Sequence, residues 1–126
     1  MALGAKGITV QKLGDAEVMT DMLLTFNGIG KHKSERLAAP AKRTSIIVVA
    51  DNAEKLEGLS NAGTKAGRKI SVLVECDTGA HRNGAHSPQQ AAELAKMIDS
   101  KVGLRLASLM ICPPNGGRAR WNIHLF

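Results

Sequence analysis

Five short apolar runs rich in β-branched residues recur along the chain: Gly7 to Val10, Met22 to Phe26, Ser45 to Ala50, Ile70 to Val74 and Leu104 to Ile111. Each is as short as a strand and too short for a typical helix, so each is read as a buried strand. Helical segments fall between them. Asp15 is placed to cap the first helix, and Asp51 or Asn52 the third. Ser87 opens the last, with Pro88 at the first helical position and Gln90 at capping-box spacing. Ala91, Leu94, Ala95, Ile98 and Val102 then form one apolar face at helical spacing. Gly58, Gly63 and Gly67 are expected to weaken or end the helix before the fourth strand.

The resulting order, β-α-β-α-β-α-β-α-β, calls for an α/β fold with a parallel sheet and right-handed crossovers. A doubly wound sheet and part of a (β/α)8 barrel both satisfy it. Gln11-Lys12, Thr25-Asn27, Asp51-Asn52, Asp77-Thr78 and Cys112 all fall at strand C-terminal ends. In either fold, ligands bind at that edge.

Composition narrows the picture. Aromatic residues make up only 2% of the 126 residues, with no tyrosine, so the core must be built from Leu, Ile, Val, Met and Ala. The length allows one domain. The formal net charge is +6, but Lys and Arg are spread along the chain. The longest basic cluster, Lys31-His32-Lys33, has no aromatic partners for stacking bases. Nucleic-acid binding is therefore not expected. Cys76 and Cys112 lie far apart without CxxC spacing, which fits a reducing cytoplasm rather than a disulfide scaffold or structural zinc. No apolar stretch is long enough to span a membrane, and Met1 to Lys6 contain no signal-peptide core.

The richest chemistry lies in Val74-Glu75-Cys76-Asp77-Thr78-Gly79-Ala80-His81-Arg82-Asn83-Gly84. A guanidinium just past a strand's C-terminal edge, between two glycines, can pair with an anionic oxygen on a ligand. An ordinary surface arginine is the other reading. Glu75 and Asp77 could form a catalytic carboxylate pair, but Asp77 is better placed to bond backbone N–H groups in an Asx-turn. Cys76, Asp77, His81 and His86 match no standard zinc spacing, so no metal site is expected. Asn27-Gly28-Ile29-Gly30-Lys31 lacks P-loop and G-x-G-x-x-G spacing and is read as a plain βα turn.

Taken together and in this order, GAKGITVQKLGDAEVM, LLTFN, VVADNAE, VLVECDTGAHRNG and LMICPPNGG resemble the D-threonine aldolase group of the alanine racemase-like enzymes, with D-serine dehydratases as close relatives. The resemblance runs from Leu3 to about Gly117. It implies about five consecutive parallel βα units of a (β/α)8 TIM barrel in residues 1–117, followed by a divergent tail in residues 118–126. It also implies pyridoxal 5'-phosphate as cofactor and a D-β-hydroxy amino acid, such as D-threonine, as substrate. In the family a lysine forms the Schiff base, the ring takes up carbanion electrons, and a divalent metal assists. By position, Arg82 carries the family arginine's role beside the ring. Gln11, Asn27 and Thr78 match strand-end positions near the cofactor.

The departures from that pattern shape the remaining expectations. The family's Schiff-base lysine belongs to a block upstream of this chain's first one, so no catalytic residue is assigned here; Lys6 and Lys12 belong to the following strand unit. The phosphate-binding glycine segments and metal-ligand residues of the family are likewise not found. Pro40 stands inside a helix, at a cost of about 3 kcal/mol. Cys112 stands where the family commonly has tyrosine. The expectation is a fragment of a pyridoxal-phosphate-dependent lyase, inactive alone, cytoplasmic, and prone to homo-oligomerise through open barrel edges. A non-catalytic α/β remnant serving as a binding or assembly module is the alternative.

Overall fold

The computed structural model describes residues 7–18, 21–25 and 31–112. Five strands alternate with four helices: β1 (Ile8–Val10), α1 (Leu13–Val18), β2 (Met22–Leu24), α2 (Lys31–Arg43), β3 (Ile46–Ala50), α3 (Ala53–Ala66), β4 (Ile70–Cys76), α4 (Pro88–Ser100) and β5 (Leu104–Ile111). All neighbouring strands pair in parallel, and the sheet order is β1-β2-β3-β4-β5. A doubly wound sheet reverses its strand order at a switch point. Here the order never reverses, as in a segment of a (β/α)8 barrel.

The helices form a layer in which each touches the next. Ile70, Val72 and Val74 share one face of β4 and join Leu56, Leu59, Leu94 and Ile98 in the core cluster. Leu56, Val72, Val74 and Ile98 are fully buried. Each such side chain contributes about 1.5–3 kcal/mol by leaving water. The other face of β4 carries Ser71, Leu73 and Glu75.

Local chemistry sets the element ends. The Asn52 side chain accepts from the Lys55 N–H at 3.1 Å, so Asn52 rather than Asp51 is the N-cap of α3. Ser87 caps α4 by accepting from the Gln90 N–H at 3.1 Å, while Gln90 reaches back to the N–H of His86 at 2.8 Å. Asp15 lies inside the first turn of α1 rather than before it. Its carboxylate accepts from the Lys12 N–H, supplying the returning half of a capping box.

Three expectations are corrected. Helix α3 runs through Gly58 and Gly63 and stops only at Gly67, which adopts the left-handed conformation (φ 69°). Gly63 is needed for close approach, because a Cβ there would lie 2.1 Å from the Gly103 carbonyl oxygen. Val102 is not on the apolar face of α4; it lies past the helix end in the turn before β5 and is 79% exposed. The fourth strand continues two residues beyond Val74, to Cys76.

Strand β5 differs from its neighbour. A register shift opposite Val72/Leu73 leaves Ala107 without a partner on β4. Beyond that point Leu109 and Ile111 pair with Val74 and Cys76, yet they are 59% and 50% exposed. No described helix covers them on the side where α3 and α4 cover β4.

Candidate functional site at the strand ends

The segment after β4 folds back on the strand it leaves. The Ala85 N–H donates to the Glu75 carbonyl at 2.8 Å, and the Asp77 N–H donates to the Ala85 carbonyl at 3.0 Å. Residues 77–84 therefore form a closed loop over the C-terminal edge of the sheet. Gly84 makes the return feasible. Its φ of 115° is unsuited to other residues, and a Cβ would lie 2.5 Å from the Asp77 nitrogen.

Asp77 is the organiser of this loop. One carboxylate oxygen accepts from the N–H groups of Gly79 at 2.9 Å and His81 at 3.1 Å. The other lies 3.5 Å from His81 Nδ1 and 3.4 Å from His86 Nδ1. Burial pushes the carboxyl pKa up. The N–H groups of His81, Gly79 and Ala80, together with the His81 ring, outweigh that, and the net shift is downward. Asp77 therefore stays ionised as a structural anchor. Convergence of two histidines on one oxygen had no signal in the sequence, since their spacing from Asp77 matches no regular element.

Thr78 sits at the mouth of the strand and is buried. Its hydroxyl has no hydrogen-bond partner among the described residues. A buried hydroxyl without a partner is costly, and a ligand atom placed against Thr78 would restore the bond. Arg82 lies near the loop's crest, exposed, and its guanidinium has no partner among the described residues. Glu75, on the strand before the loop, is buried. Burial, and then the charge of Glu75, push the Cys76 thiol pKa up, which disfavours the thiolate a nucleophile would need.

The strand-end positions share one edge of the sheet but are not brought into contact. Gln11 follows β1 and is exposed, with β2 and β3 between it and β4. No hydrogen bond joins it to Thr78 or Arg82 among the described residues. Asn27 lies outside the described residues. Beside the loop, Asp51 at the end of β3 makes an ion pair with the buried Lys55. Their i, i+4 spacing was visible in the sequence, but the burial was not. No group of three or more His, Cys, Asp or Glu side chains is arranged to hold a metal ion among the described residues. No helix among them is long and apolar enough to cross a membrane.

Residues 1–119 match the family model described as alanine racemase, N-terminal domain. The chain is 33% identical over 114 residues to a D-threonine aldolase from an Arthrobacter species, covering 86% of this chain and 30% of that protein. It is 31% identical over 99 residues to a 3-hydroxy-D-aspartate aldolase from Paracoccus denitrificans, covering 74% of this chain and 26% of that protein. Among solved structures, the D-threonine aldolase from Filomicrobium marinum superposes with a TM-score of 0.81 at 37% identity, covering 86% of this chain and 31% of that one. The chain thus spans about a third or less of the length of these relatives.

Proposed function

Because the chain belongs to the alanine racemase N-terminal domain family, we propose that it is the ring-facing section of a pyridoxal-phosphate-dependent D-threonine aldolase-like lyase. The observation that carries this reading is the pairing, in one closed loop, of a buried unpartnered Thr78 hydroxyl with an unpaired Arg82 guanidinium. Those groups fit the cofactor, which offers both a hydrogen-bonding ring and anionic oxygens. When bound, pyridoxal phosphate supplies an electron sink for breaking the Cα–Cβ bond of a D-β-hydroxy amino acid.

This chain's residues would bind and orient. Thr78 supplies a fixed hydrogen bond at the strand mouth. Arg82 donates hydrogen bonds to an anionic oxygen of the cofactor. Asp77 holds the loop that carries both. Gln11, exposed at the end of β1, is a weaker candidate on the same edge. No lysine of these residues matches the family's Schiff-base position by resemblance, and on this reading they hold the cofactor without turning over substrate. The two free cysteines, Cys76 and Cys112, fit a cytoplasmic setting.

The test is to titrate pyridoxal phosphate into the protein, follow absorbance, and then add borohydride and D-threonine. Expected are saturable binding weakened about tenfold by Thr78→Val or Arg82→Gln, no borohydride-stable adduct, and no glycine. An adduct together with glycine formation would overturn the claim of inactivity. Absence of binding would leave the second reading, a non-catalytic assembly module, which the bare Leu109 and Ile111 on β5 favour as a seat for a second copy.

A further inference from the structure

At the opposite edge of the sheet, where β3, β4 and β5 begin, lies a cavity of about 360 Å³. Its polar side chains are Thr44, Ser45, Arg68, Lys69, Ser71 and Arg105, and none of its lining residues is an acid, amide or imidazole. We propose that this cavity binds a small phosphate-bearing anion of about the size of pyrophosphate, at a site separate from the strand-end loop.

Ser71 is buried, and its hydroxyl accepts from the Arg105 guanidinium at 2.6 Å. That bond fixes one nitrogen of Arg105 against the sheet and leaves other guanidinium N–H groups for a ligand. It also leaves the Ser71 proton to be donated. Thr44 is buried too; its hydroxyl accepts from the Asp21 N–H at 2.8 Å and likewise retains a proton to give. Asp21 meets Thr44 through its backbone, and its carboxylate does not line the cavity. Arg68, Lys69 and Arg105 have no ion-pair partner among the described residues. The lining therefore offers three positive charges and at least two buried hydroxyl donors, with no carboxylate to satisfy them. An oxyanion with several acceptor oxygens is the chemistry that matches.

The C-terminal ends of α2, α3 and α4 point towards this edge, and a helix C-terminus disfavours anions. That effect is equivalent to about half an elementary charge per helix, against three full cations. Part of it is already quenched by capping. Gly67 and Arg68 donate their N–H groups to the Thr64 and Gly63 carbonyls, and Thr44 donates to Pro40.

The experiment is isothermal titration of the protein with inorganic pyrophosphate at fixed ionic strength. Expected is saturable binding of one anion per chain, weakened about tenfold by Arg105→Gln and by Arg68→Gln, and unchanged by Lys96→Gln on the exposed side of α4. Circular dichroism establishes that each variant is folded. If Arg105→Gln does not fold, Arg68→Gln and Lys69→Gln, at exposed positions outside the strands, carry the same test. No saturable heat overturns the proposal. So does equal affinity in the cavity variants and the wild type, or an equal loss in Lys96→Gln, which would mean diffuse attraction to a basic surface.

Discussion

Strands β4 and β5 lie side by side and are paired along most of their length, yet they live in different solvents. On β4, Ile70, Val72 and Val74 are all but sealed from water beneath α3 and α4. On β5, Leu104 begins equally buried, but beyond the unpaired Ala107 the side chains of Leu109 and Ile111 stand in solvent. The two strands are about equally apolar in sequence. What separates them is the next layer: α3 and α4 reach both strands, but among the described residues no helix covers the far end of β5 at Leu109 and Ile111. Apolar content alone therefore does not decide what a strand contributes to stability; coverage does.

Substitutions can break this contrast. Val72→Asp places an uncompensated charge at a fully buried position and is expected to cost about 4 kcal/mol or more, enough to abolish the urea unfolding transition. Gly84→Ala puts a methyl group against the Asp77 nitrogen at a positive φ. It is expected to cost about 1–3 kcal/mol and to loosen the loop, seen as faster amide exchange at Gly79 and His81. At the small end, Leu109→Ser should change stability by no more than about 0.5 kcal/mol. A loss as large as that of a core leucine would mean that β5 is covered in solution.

Acid sharpens the comparison from the loop's side. The Asp77 pKa is lowered in the folded protein. Its contribution to stability is therefore present above the ordinary aspartate range and is lost as pH falls through the lower, folded value. Asp77→Asn removes that dependence. The stability gap between wild type and variant should close as pH falls through that window, while Leu109→Ser should show no such convergence.

The five strands and the edge that carries the loop were legible in the sequence because short β-branched runs and polar strand ends are local signals. Asp77 as a turn-former was legible for the same reason. What escaped depends on partners far along the chain. Gly63 reads as a helix breaker until the Gly103 carbonyl is set against it. Val102 continues the helical spacing of α4, but the helix ends before reaching it. Leu109 and Ile111 read as core because a sequence does not announce which helix covers a strand. The burial of Thr78 and the approach of His81 and His86 to one oxygen depend on the return of Ala85 to the strand, a contact made by the loop as a whole.

The unbroken order of the sheet has a consequence for how the chain reaches this structure. Each strand pairs with the next in sequence: Ile8 with Met22, Met22 with Ile46, Ile47 with Ser71, and Ile70 with Leu104. No strand waits for a distant segment before it can dock. Such a chain can assemble as it leaves the ribosome, each new unit adding to an existing template, with modest loop-closure entropy at every step. The growing end always presents a fresh edge, and among the described residues β5 is that edge.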